Sequence, residues 1–93
     1  MKIKVKFYVD FKKLFGEDEI EVDINDGASV QDMLTKLCDT DQRRQAILDG
    51  SGKVKPSVMV IVKRGKRSDI VNKERAQLKD GDVVMVLRAV FGG

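Results

Sequence analysis

The last sixteen residues, Leu-Lys-Asp-Gly-Asp-Val-Val-Met-Val-Leu-Arg-Ala-Val-Phe-Gly-Gly from Leu78 to Gly93, decide the fold of this chain. Asp80 and Gly81 are residue types that tight turns use, because Gly adopts positive φ without steric strain. Residues 83–90 are mostly β-branched or aliphatic and predict a strand that leads directly to the final residues. We therefore expect a folded domain that presents Gly92, Gly93 and a free terminal carboxylate.

Two earlier segments alternate strictly between apolar and charged residues. Residues 2–9 alternate apolar residues with three lysines and Tyr8, and residues 19–24 alternate apolar residues with carboxylates. A period of two is typical of half-buried strands. The opposite charges favour antiparallel pairing of the two strands, with each Lys–carboxylate pair contributing ~0.2–1 kcal/mol. We expect Phe11, Leu14 and Phe15, in the connection, to fold over one end of the core.

A helix is predicted to begin after Ser29, because Ser29 followed by Asp32 is the pattern of an N-cap with an acidic residue at N3. Five residues then recur at helical spacing and predict one buried stripe: Val30, Met33, Leu34, Leu37 and Cys38. We interpret Cys38 as a small buried hydrophobic residue, with a reactive thiol as the alternative. A second short helix is expected over residues 42–48.

Residues 58–62 are apolar at every position and predict another strand. A basic turn follows, Lys63-Arg64-Gly65-Lys66-Arg67. A net charge of +3 and only 5% aromatic residues favour a solvated hairpin tip over a nucleic-acid contact. Over residues 68–77 the pattern indicates a short strand near Ile70 and one helical turn.

This order of elements predicts an α+β fold, the β-grasp, with a mixed sheet of four to five strands packed on one main helix. The last strand is expected to lie beside the first and parallel to it. Residues 1–93 form one expected domain with a flexible Gly-Gly tail at about 91–93. The last strand has two largely apolar alternating sets, and only one can face the helix. The other is expected to form an exposed apolar patch, unless loops such as residues 11–15 cover it.

Several classes of function are excluded by composition. One Cys and no His cannot build a zinc or iron–sulfur site within one chain, and they remove His-based acid–base and nucleophilic catalysis. The lone Cys cannot close an intramolecular disulfide, which fits a reducing compartment. No apolar run approaches the ~20 residues that span a membrane. We expect a cytoplasmic protein with no membrane contact.

The Leu78–Asp82 turn, the hydrophobic last strand and the terminal Gly92-Gly93 together resemble the ubiquitin-like sulfur carriers. This family includes the small subunit of molybdopterin synthase, the thiamine-pathway sulfur carrier and the small archaeal ubiquitin-like modifiers. The resemblance covers nearly the whole chain. Residues 88–91, Arg-Ala-Val-Phe, depart from the Pro-Pro-Val that molybdopterin-type members usually carry, although Val90 is kept.

The resemblance implies a carrier, not an enzyme, whose Gly93 carboxylate is adenylated by an E1-like enzyme and then converted to a thiocarboxylate. ATP is consumed by that partner, and no cofactor is expected to bind the chain itself. A sulfur donor is a further implied partner, and the free protein is expected to be monomeric. The candidate partner-binding residues are Gly92, Phe91, Val90, Arg88, Leu87, Met85, Lys63 and Arg64.

Two fates of the activated tail stay open on the sequence. Sulfur transfer would serve an acceptor synthase subunit that makes a molybdopterin-type cofactor, or tRNA thiolation. An isopeptide bond would instead join Gly93 to lysines of target proteins. From a different class, the domain could be a β-grasp module that contacts RNA or protein through its basic turn, although nucleic acid is not the favoured partner.

Overall fold

In the computed structural model, which describes residues 1–70 and 76–89, five strands form one mixed sheet. The strands are β1 (Lys2–Phe7), β2 (Glu19–Asp23), β3 (Val58–Arg64), β4 (Arg67–Ile70) and β5 (Val83–Arg88). Three helices complete the described elements: α1 (Asp10–Phe15), α2 (Val30–Leu37) and α3 (Asp41–Ile47). The sheet order is β2-β1-β5-β3-β4, so the last strand lies at the centre of the sheet.

The two charged strands pair as their opposite signs predict. β1 and β2 run antiparallel, with Lys4 opposite Glu21. The ion pairs form on the diagonal, at 3.5 Å from Lys2 Nζ to Glu21 Oε1 and at 3.2 Å from Lys4 to Glu19. β5 then joins β1 in parallel, with Val5 opposite Val84, and joins β3 antiparallel, with Val60 opposite Val86. This is the topology of the predicted β-grasp.

The main helix begins where the sequence places it. The Ser29 hydroxyl accepts from the Asp32 N–H at 3.1 Å, and the Asp32 carboxylate accepts from the Ser29 N–H at 2.9 Å, which completes a capping box. The predicted apolar stripe is buried against the sheet, with Val30, Met33 and Leu34 fully inaccessible. The second short helix, α3, spans Asp41–Ile47 and is capped by the hydroxyl of Thr40.

The sequence prediction was wrong about where the first strand ends. Residues 2–9 were expected to be one strand with Val9 facing inward, whereas β1 ends at Phe7 and Val9 is 74% exposed. The chain turns at Val9, where φ is +52° and ψ is −112°, and α1 begins at Asp10. This sharp turn brings α1 back over the end of the core. Its residues Phe11 and Phe15 are buried, as expected of a connection that covers one end.

For two further segments, the observed extent of the secondary structure differs from the prediction. The last strand was predicted to run to Val90 and ends at Arg88, with Val90 outside the described residues. The short strand expected near Ile70 is β4, which pairs with β3 across the basic turn. Most of the stretch that was expected to hold one helical turn lies outside the described residues. No helix in the described ranges is long and apolar enough to cross a membrane.

Candidate tail-presenting site

The candidate functional site is the carboxyl-terminal end of β5, where the chain leaves the sheet toward its last residues. Four of the predicted site residues, Val90, Phe91, Gly92 and Gly93, lie outside the described residues, so their roles stay predictions. The described part of the site consists of the tail root, which we define as Arg88 and Ala89, and of the sheet surface beside it.

The backbone of the tail root is held by the neighbouring strand. Arg88 lies opposite Val58 of β3. The N–H of Ala89 then donates a hydrogen bond of 2.9 Å to the carbonyl of Ser57, one residue before β3 begins. On its other side β5 is paired with β1, where Val86 lies opposite Phe7. The central position of β5 therefore fixes the chain as far as Ala89.

The side chain of Arg88 is held by α1. Its Nε–H donates to Oδ2 of Asp10 at 3.3 Å, and its guanidinium carbon lies 4.9 Å from the centre of the Phe11 ring. Asp10 and Arg88 are 59% and 46% exposed, so we expect the ion pair to contribute ~0.2–1 kcal/mol. The cation–π contact adds about 0.5–1 kcal/mol. We call Arg88, Asp10 and Phe11 the Arg88 clasp.

The outward side of β5 forms an apolar surface with β3. Val84 and Val86 are fully buried and face α2, so the alternate set faces outward. In register, Leu87 lies opposite Met59 and Met85 opposite Ile61. We call the half-buried residues of this surface the outer apolar face: Met59, Ile61, Val83, Met85 and Leu87. Residues 11–15, expected in the alternative to cover this surface, do not do so, because Phe11 and Phe15 belong to the buried core.

Lys63 and Arg64, both predicted to contact a partner, lie on opposite sides of β3. Lys63 is exposed at the far end of the outer apolar face, opposite Val83. The Arg64 guanidinium instead binds Asp82 through Nε at 2.9 Å and a second nitrogen at 2.8 Å. Arg64 thus organises the turn before β5, and the structure does not bring it together with Met85 and Leu87.

Among the described residues, Asp82 is the acidic residue that is buried in the core, with 1% of its surface exposed. The hydrogen bonds from Arg64 hold the pKa of its carboxyl below the usual value, and the N–H of Lys79, at 2.8 Å, lowers it further against the opposing effect of burial. Asp82 therefore stays charged at neutral pH. Its carbonyl accepts from the N–H of Lys4 at 3.1 Å, which ties the turn to β1.

Sequence reasoning missed Asp10 and Ser57 as partners of the tail root and did not assign Phe11 to it. A signal for Phe11 was present, because Phe11 and Phe15 are spaced i, i+4 as on one face of a helix. Asp10 and Ser57 carry no such signal, since each meets the tail root only through the tertiary fold.

Cys38 is buried at the end of α2, as its position on the apolar stripe predicts. Burial raises the pKa of its thiol to about 11, with Arg44 opposing this effect and Asp39 adding to it. A thiol with this pKa is almost entirely protonated at neutral pH and is a poor nucleophile. Within the described ranges, no group of three or more Cys, His, Asp or Glu side chains could hold a metal ion.

Comparison with known proteins finds relatives that match nearly the whole chain. The ThiS family model matches residues 5–93. Small archaeal modifier protein 3 of Haloferax volcanii is 31% identical over 93 residues, with both chains fully covered. The structure of a putative molybdopterin converting factor subunit 1 from Pyrococcus furiosus is 31% identical with a TM-score of 0.73, covering 97% of this chain and 99% of that one. A chain of the Amycolatopsis orientalis BexX/CysO complex shares the fold at 22% identity and a TM-score of 0.74, covering 98% and 99%.

The five-stranded sheet, the helix on one of its faces and these relatives define a ubiquitin-like β-grasp protein of the sulfur-carrier and modifier class. The proteins of this class are carriers or modifiers and not enzymes themselves. The chain belongs to the ThiS family. A binding module that contacts RNA through its basic turn is not favoured, and Arg64 of that turn is engaged by Asp82.

Proposed function

We propose that Gly93 is the reactive residue of this carrier and that its carboxylate is activated by an E1-like adenylating enzyme. A carboxylate is a poor electrophile, so a reaction at this group needs a better leaving group. Attack of the carboxylate on the α-phosphorus of ATP would release pyrophosphate and leave an acyl-adenylate. Hydrosulfide supplied by a sulfur donor would then attack the acyl carbon, displace AMP and lose its proton, which leaves a thiocarboxylate. In this scheme ATP belongs to the partner, and the chain itself needs no cofactor.

The observation that carries this proposal is the placement of the tail root. The backbone is fixed up to Ala89 by its hydrogen bond to Ser57, and only four residues follow in the sequence. Four residues reach at most about 14 Å when fully extended. The last two are glycines, and the absence of a Cβ allows close backbone approach inside a narrow channel of a partner. A rigid domain with a short, slim tail suits delivery of one carboxyl group.

We propose the outer apolar face as the surface that docks the activating enzyme or an acceptor. It lies directly beside the tail root, because Leu87 immediately precedes Arg88. Contiguous apolar surfaces that stay partly open to solvent mark protein contacts. Lys63, at the far end of this surface, would influence the rate of association and the choice of partner. A chain with this fold occurs in the BexX/CysO complex, which supports the proposal that this chain also binds a protein partner. The proposed compartment is the cytoplasm, where the ATP that the activating partner consumes is available.

The two fates of the activated tail are distinguished by mass. After incubation with ATP, an activating enzyme and a sulfur source, a thiocarboxylate adds about 16 Da by replacement of one oxygen with sulfur. Conjugation instead joins the domain to a target lysine, and a tryptic digest would contain the branched peptide. The relatives include both a protein named as a modifier and one named as a molybdopterin converting factor, so both readouts belong in the experiment.

The matched control is the Gly93→Val variant. We expect it to melt like the wild type and to show neither the mass gain nor the branched peptide, because Val would obstruct the approach of the carboxyl group. Met85→Lys should keep Gly93 intact and still reduce activation, since it introduces a charge into the outer apolar face. Absence of any mass change in the wild type, under conditions that activate another ThiS-family carrier, would refute the proposal.

A further inference from the structure

We propose that the Arg88 clasp is a positioning device for the tail and that Arg88 acts through Asp10 and Phe11 within its own chain, not as a docking cation. This inference rests on the proposed function, because it concerns how the Gly93 carboxyl group reaches the activating enzyme. It assigns to Asp10, which sequence reasoning did not single out, a role at the tail root.

The first argument is the side of the sheet on which Arg88 lies. Along β5, Arg88 lies on the same side of the strand as Val84 and Val86, which are fully buried beneath α2. Its guanidinium accordingly packs over Phe11, a core residue that is 1% exposed. The outer apolar face is formed by the opposite set. A partner that docks on the outer apolar face therefore meets Met85 and Leu87 and approaches the sheet from the side away from the guanidinium.

The second argument is that the tail root is held from two directions. Ser57 accepts the backbone N–H of Ala89 at 2.9 Å from the β3 side. Asp10 accepts the side-chain Nε–H of Arg88 at 3.3 Å from the α1 side. Each contact alone is modest for a solvent-facing group. Together they set the position from which the last four residues start, and less conformational freedom is then left to lose when the tail enters a channel.

The third argument is the backbone at Val9. Among the described residues, Val9 is the only non-glycine residue with positive φ, at +52°. Such a conformation is unfavourable for a β-branched side chain and persists only where the surrounding structure enforces it. The turn at Val9 is what places Asp10 and Phe11 against the end of β5. The fold therefore maintains an unfavourable turn at the point that builds the clasp.

The test measures activation kinetics and the local stability of the tail root in the same variants. Asp10→Asn and Arg88→Gln each remove the charge pair, and Asp41→Asn is the matched control, since Asp41 pairs with Arg44 on α3 at 3.5 Å. We expect Arg88→Gln, which also removes the cation–π contact, to raise the KM of the activating enzyme for the carrier by about 3- to 10-fold. Asp10→Asn, which removes the ion pair alone, should raise it by about 1.5- to 5-fold, and kcat should stay within about twofold of wild type in both variants. Hydrogen exchange of the Ala89 amide should accelerate by a similar factor, and Asp41→Asn should change neither quantity.

Reversing the charges separates a clasp from a docking cation. Arg88→Asp alone places two carboxylates together and should raise KM by about 10-fold or more. The double variant Asp10→Arg, Arg88→Asp restores an ion pair inside the chain and should bring KM back to within about threefold of wild type. A docking cation would not be rescued in this way, and Asp10→Asn would then leave KM unchanged. Either result would overturn the proposal.

The amide-exchange measurement needs no activating enzyme and separates failure of the clasp from failure of the proposed function. If wild-type protein is activated while Asp10→Asn alters neither KM nor exchange at Ala89, the clasp is refuted and the carrier function stands. If the wild type is never activated, the carrier function is refuted, and faster exchange at Ala89 in Asp10→Asn would still show that the clasp holds the tail root.

Discussion

Replacing Asp82 by Asn tests how the turn before the central strand is stabilised. Asp82 is 1% exposed and accepts two hydrogen bonds from the Arg64 guanidinium and one from the N–H of Lys79. An Asn side chain has nearly the same shape, but its NH2 group would face a guanidinium that can only donate. Hydrogen bonds to charged groups contribute about 1.5–3 kcal/mol, so we expect Asp82→Asn to lower the free energy of unfolding by about 2–3 kcal/mol at pH 7.

The pH dependence of this loss follows from the direction of the pKa shift. In the folded protein the pKa of Asp82 is held below the ordinary value of 3.8, with the Arg64 hydrogen bonds as the largest cause. The carboxylate therefore stabilises the fold above pH 3.8, and that stabilisation is lost as the pH falls through the folded pKa. Asn does not titrate. The difference between wild type and Asp82→Asn should accordingly be constant near neutral pH and shrink below pH 3.8.

Urea denaturation followed by circular dichroism at pH 7, 5 and 3 measures this difference directly. In a thermal scan, 1 kcal/mol corresponds to about 4–8 °C for a domain of this size, so the change at pH 7 should be large. Asp41→Asn is the control, because the Asp41 side chain is 90% exposed and its loss should change stability by less than about 0.5 kcal/mol. A loss below about 0.5 kcal/mol for Asp82→Asn at pH 7 would refute the reasoning, as would a difference that persists unchanged at pH 3.

Three further predictions concern single sites. Val9→Gly should raise the free energy of unfolding, measured by urea denaturation, by about 1 kcal/mol, because Gly adopts the φ of +52° without strain and the Val9 side chain is 74% exposed. A decrease would contradict the strain argument. Ser29→Ala should lower that free energy by about 1 kcal/mol by removing the N-cap hydroxyl of α2, and Ser29→Asp should retain most of the stability, so equal losses in both would argue against the cap. Cys38, with its thiol pKa raised to about 11, should react with an aromatic disulfide reagent far more slowly in native protein than in urea, and equal rates at pH 8 would show that it is not protected.

Elements with a strong local signal were predicted well from the sequence. The capping pattern of Ser29 and Asp32 and the apolar stripe after it place α2 within one residue, because both depend on neighbours along the chain. The alternation of β1 and β2 likewise predicts their pairing, since opposite charges select the partner and a period of two selects the face. The parallel pairing of β5 with β1 was predicted from the crossover of α2.

The end of β1 and the tail root could not be predicted in the same way. Val9 continues the alternating pattern, so periodicity alone extends the strand through it, and only the packing of Phe11 and Phe15 into the core explains why the chain turns there. Asp10 and Arg88 are separated by 78 positions and meet only in the folded protein. Arg64 illustrates the same limit, because a basic residue beside a hairpin tip indicates a solvated charge until a buried acid is found beside it.

In the proposed function, the two faces of β5 serve different purposes, the inward face stability and the outward face recognition. The inward set holds the strand to α2 through Val84 and Val86, and Arg88 extends that set to the clasp. The outward set is apolar without being buried, so hydrophobic contact along it is still available to a partner. A substitution on the inward set should therefore act mainly on unfolding, and one on the outward set mainly on activation. Arg88 is the exception, since it lies on the inward side but at the tail root, where a loss of order affects the tail more than the core.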